Sequence, residues 1–239
     1  MAISSLRITV DAHPEALTID PARSAMLLVD MQNDFGAEGG GSALQGRDFS
    51  AVRATIAPTA RMLEAARRAG ITIVYLKMGF RPDLSDAGAP DTPNWRKHLK
   101  WRIGEAATAP DGTASRILIR DTWNTDIVSE LAPEPDDVVL YKHRFSGFFE
   151  TALHDILTAR SVKTLIFAGW TTSVCVEATI RDAMYRDYTC LLLADCTAEP
   201  IGQSNYEASL LVVQRPFGWV SHSAELISAL AGQVVPVPS

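Results

Sequence analysis

Residues 163–182 read Lys163-Thr-Leu-Ile-Phe-Ala-Gly-Trp-Thr-Thr-Ser-Val-Cys-Val-Glu-Ala-Thr-Ile-Arg-Asp182. Leu165 to Ala168 is a short apolar run without alternation, the pattern of a strand covered on both faces. The run stops at Gly169, crosses a Trp-Thr-Thr-Ser turn, and delivers Cys175 where Val176, Thr179, Ile180, Ala183 and Met184 begin a helical spacing. A thiol at a helix N-terminus faces unpaired N–H groups and the positive end of the helix dipole, and both favour the nucleophilic thiolate. A small buried packing residue is the commoner fate of cysteine. The stretch alone leaves both readings open.

The same strand–helix alternation runs outward in both directions. Apolar runs at Ser24–Asp30, Ile71–Leu76, Val138–Tyr141, Cys190–Leu193 and Phe217–Val220 predict five further strands. Helical spacings lie between them, from Val52 to Gly70 with Pro58 at a kink or first turn, over Glu150–Ala159, Ser204–Val213 and Ala224–Leu230. This order predicts an α/β fold with one six-stranded parallel sheet between helix layers, in a single domain spanning residues 1–239. Residues 1–23, with Pro14 and Pro21, read as an irregular arm, and Asp126–Leu131 as a short helix. Residues 79–124, with four prolines and three tryptophans, read as a long insert without regular structure: a lid, a binding loop or a subunit contact.

Composition narrows the class. A net charge of −6 and a pI near 5.4 disfavour nucleic acid or an anionic membrane as the main partner. No apolar run approaches the roughly 18 residues of a membrane span. The first residues carry Arg7, Asp11, His13 and Glu15 where a secretory signal would be apolar. Three cysteines do not suggest a disulfide framework. The expectation is a soluble cytoplasmic protein.

Ligand crevices of open parallel sheets lie outside the carboxyl ends of the strands. Asp30, Lys142 and Cys175 each follow a predicted strand at that end. Each has a plain structural reading, as a turn cap, a solvated strand end and a core residue. Together they make a coherent amide-cleaving set. Cys175 attacks a carbonyl carbon, Asp30 moves the protons, and Lys142 supplies positive potential, with backbone N–H groups of the turn receiving the oxyanion. His143 is the one histidine near a strand end, and its side chain is expected to point away from that of Lys142. No Cys-x-x-Cys, close His pair or phosphate-binding glycine pattern is present, so catalysis without metal or cofactor is expected. Cys190 and Cys196 read as packing residues.

Asp30 in Leu-Leu-Val-Asp-Met-Gln-Asn-Asp-Phe, Lys142 after its strand, and Gly169-Trp-Thr-Thr-Ser-Val-Cys-Val-Glu resemble the isochorismatase-like cysteine hydrolases over roughly residues 20–231. The resemblance implies a Rossmann-like α/β/α sandwich and a triad of Cys175, Asp30 and Lys142. It also implies a non-proline cis peptide at Trp170–Thr171 and an oxyanion hole from the Thr171 and Cys175 N–H groups. Arg144-Phe-Ser-Gly-Phe-Phe-Glu-Thr and Phe217-Gly-Trp-Val-Ser are similar to ureidoacrylate amidohydrolases, although Met78 and His98 depart from the polar residues expected there. Gly79-Phe-Arg-Pro-Asp-Leu-Ser-Asp, Trp95-Arg96 and Gln214 are similar to biuret and triuret hydrolases. The metal-binding histidines of nicotinamidases have no counterpart in Met78-Gly-Phe-Arg-Pro-Asp, and true isochorismatases lack the cysteine. The expected activity is cleavage of a small linear amide or ureide of the ureidoacrylate, biuret or carbamoyl type through a Cys175 thioester. The alternatives are an amidase for an unrelated aryl or alkyl amide, or a non-catalytic small-molecule-binding member. Phe35, Met78, Trp95, Phe148 and Gln214 are the expected substrate contacts, with Gln214 reading the amide. A homo-oligomer, dimer or tetramer, is expected from the family's habit.

Overall fold

The computed structural model describes residues 7–232. Six parallel strands form its central sheet: β1 (Ser24–Val29), β2 (Thr72–Met78), β3 (Val138–Lys142), β4 (Thr164–Trp170), β5 (Thr189–Ala198) and β6 (Trp219–Ser221). The larger helices are α1 (Ile56–Arg68), α2 (Pro93–Leu99), α3 (Leu153–Ala159), α4 (Glu177–Met184), α5 (Gln203–Val212) and α6 (Ser223–Ala231).

The strands lie in the order β6-β5-β4-β1-β2-β3. The chain therefore winds outward from β1 to β3, returns to the other side of β1, and winds outward again to β6. This doubly wound order opens a crevice at the carboxyl ends of the two strands where the direction reverses, β1 and β4.

Every residue of β1 and of β4 is buried, which is why neither alternates in polarity. Met26 and Leu28 of β1 face one layer, with Met62, Leu63 and Ala66 of α1 and Leu226 of α6. Ala25, Leu27 and Val29 face the other, with Leu153 and Leu157 of α3 and Ile180 and Ala183 of α4. Pro58 sits in the first turn of α1, where its missing N–H has no helical partner to lose.

The contact between β1 and β4 at the reversal point depends on Gly169. Its φ is +137°, and a Cβ there would lie 2.3 Å from Val29 O and 2.6 Å from Val29 N. No side chain fits between those backbones.

Several sequence expectations are corrected. The arm before residue 24 contains an antiparallel hairpin, Ile8–Val10 against Leu17–Ile19. It is held to the sheet edge by a two-way bridge between His13 and Val220 and by Ser221 Oγ donating to Asp11 O at 2.5 Å. The 79–124 insert is structured: it holds α2 and a second hairpin, Ala106–Thr108 with Ala114–Arg116. Thr92 caps α2 by accepting from Trp95 N, with Pro93 at the first helical position. Asp126–Leu131 is not one helix, because Asp126 is extended and Ile127 pairs with Gln32; only Ser129–Leu131 forms a helical turn. β4 runs past Gly169 to Trp170, and β5 past Leu193 to Ala198.

Candidate active site

β1 ends at Val29 and places Asp30 at the reversal point with φ of +55°, a left-handed conformation that aspartate tolerates better than most residues. Gln32 then ties β1 to β2. Its Nε2 donates to Met78 O at 2.8 Å and its Oε1 accepts from Met78 N at 2.7 Å. β3 ends in Lys142, whose Nζ donates to Asp30 Oδ2 at 2.8 Å and to Arg144 O at 3.3 Å. Both side chains are cut off from solvent, at 0% exposure for Lys142 and 2% for Asp30.

Beyond β4 the Trp170–Thr171 peptide is cis, and Thr172–Val176 forms a π-helical turn that leads into α4. Cys175 therefore sits inside a wide turn, not at the first residue of a regular helix. The end of β5 holds this turn in place. Thr197 Oγ1 donates to Gly169 O and shares a 2.8 Å hydrogen bond with Thr172 Oγ1. Glu199 Oε2 accepts from Ser173 N at 2.8 Å. On the other side Thr179 Oγ1 donates to Cys175 O, and Trp170 Nε1 donates to Thr55 Oγ1.

Burial governs the charges. It pushes the Asp30 carboxyl up, although Lys142 and the Cys175 thiol each pull it back. It also pulls the Lys142 ammonium down, but Asp30 and Cys175 outweigh that and leave it raised, so the lysine stays cationic. The Cys175 thiol is pushed well above its ordinary range by burial first and the Asp30 charge second, with Lys142 opposing both. Burial of the sulfur thus works against the thiolate bias expected from a helix N-terminus. Asp30 Oδ1 is buried and has no hydrogen-bond partner, while the thiol is near enough to act on the carboxyl's titration. A carboxyl oxygen without a partner beside a thiol is the arrangement of a base and its nucleophile.

The insert closes over this group. Asp34, buried in the turn after β1, accepts from Gly41 N at 2.8 Å, Leu118 N at 2.6 Å and Asn124 Nδ2 at 2.5 Å. Burial raises its carboxyl to about 6 against those three donors. Cys175, Met78 and Phe80 share one apolar cluster, on which Phe35, Trp95 and Trp101 pack. Phe35 meets Trp101 edge to face at 5.7 Å between ring centres.

Of the expected substrate contacts, Met78 and Phe148 belong to the cluster that holds Cys175, and Phe35 and Trp95 pack on it. The neighbours of Phe148 and the position of Gln214 set these two apart from the crevice. Phe148 stacks on Tyr188, just before β5 begins, and lies under Arg186, toward the amino ends of the strands. Gln214 lies in the turn Val213–Phe217 that leads into the start of β6, at the same amino end. His143 pairs with Glu150 at 3.1 Å, turned away from Lys142 as expected. Cys190 and Cys196 are buried, with burial lifting both thiols to about 12. Glu199, Thr197 and Gln32 were not anticipated; reading β5 through to Ala198 would have put Thr197 and Glu199 at the correct rim.

The isochorismatase domain family matches residues 24–225. This chain belongs to that family. It is 39% identical over 224 residues to the ureidoacrylate amidohydrolase RutB of Methylorubrum extorquens, covering 94% of this chain and 89% of that one. It is 36% identical over 230 residues to RutB of Agrobacterium fabrum, covering 96% and 99%. Among solved structures, a cysteine hydrolase from Pseudomonas syringae pv. phaseolicola superposes with a TM-score of 0.74 at 29% identity, covering 96% of this chain and 99% of that one. N-carbamoylsarcosine amidase from Thermoplasma acidophilum gives 0.62 at 26%, covering 85% and 98%. The chain is a hydrolase of carbon–nitrogen bonds other than peptide bonds.

Proposed function

We propose that this family member cleaves the carbamoyl C–N bond of a small linear ureide, with ureidoacrylate the first substrate to test. The observation that carries the reading is the buried set at the β1–β4 reversal, where Asp30 pairs with Lys142 through one oxygen and keeps the other without a partner beside Cys175. The RutB relatives and the N-carbamoylsarcosine amidase neighbour both carry in their names a substrate with a carbamoyl group on nitrogen, which supports that class.

Asp30 takes the thiol proton as the Cys175 sulfur bonds to the carbonyl carbon. The Thr171 and Cys175 N–H groups receive the oxyanion, and Lys142 offsets the charge gathering around it. The C–N bond breaks as Asp30 passes its proton to the departing nitrogen, leaving an acylated cysteine. Water then adds to that carbon and gives a proton to Asp30. The C–S bond breaks and the proton returns to sulfur. Phe35, Met78 and Trp95 form the apolar wall.

Cys175→Ala should abolish ammonia release from ureidoacrylate, biuret and N-carbamoyl amino acids while the far-UV circular dichroism stays that of the wild type. Wild-type turnover by that variant on any substrate the native protein accepts removes Cys175 from the mechanism.

A further inference from the structure

Among the described residues four buried side-chain nitrogen or oxygen atoms have no hydrogen-bond partner: Asp30 Oδ1, Arg67 Nε, His98 Nε2 and Trp219 Nε1. Asp30 Oδ1 has a use in the reaction above. His98 does not, and it lies close by. It is 3% exposed, sits on α2 of the insert, and meets Phe80 at 5.1 Å and Phe145 at 5.2 Å between ring centres. Phe80 follows β2 by two residues and Phe145 follows β3 by three, so the ring lies over the carboxyl ends of those strands.

The tautomer follows from its other nitrogen. His98 Nδ1 is 2.8 Å from Asn94 O, a carbonyl that can only accept, so Nδ1 carries the hydrogen and Nε2 of the neutral ring is a lone pair. Burial, Lys142 and Arg144 all lower the affinity of this ring for a second proton, and only the Asn94 contact opposes them. A buried acceptor without a donor is costly, and native proteins keep one mainly where a ligand or water completes it.

We propose that His98 Nε2 accepts a hydrogen bond from an N–H of the bound substrate, and so selects amides and ureides that retain hydrogen on nitrogen. This rests on the ureide reading and extends it to a residue on the insert. His98 is a specificity determinant, distinct from the proton transfers assigned to Asp30.

The test compares wild type with His98→Phe, which keeps the ring packing and removes the acceptor, and with His98→Gln, whose carbonyl can restore it. Steady-state hydrolysis is measured on ureidoacrylate, biuret, N-carbamoylglycine and a fully N-alkylated urea. Losing one hydrogen bond to a buried acceptor should raise KM roughly tenfold in His98→Phe, with kcat changed less and partial recovery in His98→Gln. KM of the wild type should also rise on acidification, as protonation turns Nε2 into a donor, and this limb should vanish in His98→Phe. The other charged groups facing the ring, Lys142 and Arg144, are the same in both proteins; Asp30 would instead act on kcat and on Cys175 alkylation in both proteins. The Nε2 nitrogen resonance of a histidine-labelled chain should move toward the hydrogen-bonded position when N-carbamoylglycine saturates Cys175→Ala. Unchanged KM values in His98→Phe, with turnover intact, overturn the role of His98 and leave the ureide reading standing. Turnover of the fully N-alkylated urea as fast as of biuret overturns the selection for N–H. No turnover of any ureide, with an unmoved nitrogen resonance, removes both.

Discussion

Replacing Lys142 by Met removes one half of an ion pair that is 2.8 Å long and 0% and 2% exposed on its two sides. The methionine fills most of the space of the lysine stem, so the loss is mainly electrostatic. An ionised Asp30 left alone at that depth should cost about 3–5 kcal/mol, and the protein can limit this only by keeping Asp30 protonated. The defect is therefore a function of pH. Asp30 already has a folded pKa above the ordinary aspartate value of 3.8, and losing the pull of Lys142 raises it further. A raised folded pKa gives stability that is complete below the unfolded value and lost as pH climbs through the folded one. Below about pH 4 Asp30 is neutral in both proteins, and the variant should be no less stable than wild type. Above the wild-type folded pKa the gap should widen by about 1.4 kcal/mol per pH unit until it reaches the 3–5 kcal/mol ceiling. With a urea m-value of about 2 kcal/mol per molar, that ceiling moves the midpoint by roughly 1.5–2.5 M. Urea titrations of both proteins at pH 4, 5, 6, 7 and 8 measure this, and Asp30→Asn combined with Lys142→Met should recover most of the loss. A midpoint difference that is flat from pH 4 to 8 would refute the account of the pair.

Three further outcomes are expected. Asp30→Asn removes a charge that holds the Cys175 thiol up, so iodoacetamide should alkylate Cys175 faster at pH 7 than in wild type while hydrolysis is lost; slower alkylation contradicts the assigned sign. Gly169→Ala drives a Cβ to 2.3 Å from Val29 O, a backbone atom that cannot swing away, so the thermal midpoint should fall by an amount equivalent to about 3 kcal/mol or more. Asp34, raised to about 6 in the folded chain from 3.8, should lose up to about 3 kcal/mol of its contribution as pH rises from 4 to 6, a slope that Asp34→Asn should lack in calorimetry over that range.

The parts of this fold that were legible are those where one segment decides its own state. β1 and β4 are apolar throughout because both faces are covered, and each ends in a residue, Asp30 or the Trp170–Cys175 turn, that an apolar strand would not carry without reason. The first hairpin was not legible, since three-residue strands gain their stability from the edge of β6 through His13 and Ser221, which no local pattern reveals. α2 had a local signature in Thr92 and Pro93, and the surrounding prolines hid it. Gln214 was misplaced for a reason the sequence did contain. A helix that returns from one parallel strand to the next runs back to the amino ends, so the residues just after α5 must lie at the end opposite the crevice.

Burial sets the resting state of the nucleophile, and this bears on how the site would work. Burial pushes up both the Cys175 thiol and the Asp30 carboxyl, so the titrations of the two neighbours are coupled. The cation of Lys142 opposes both shifts. Asp30 and Cys175 are thus neighbouring proton acceptors whose raised pKa values share one main cause. A substrate that brings its own N–H donors and a polarised carbonyl into this pocket alters the balance between them more than it would in water, because nothing else there screens it. On this view burial, which makes the free thiol inert, is also what confines its activation to the moment a substrate is bound.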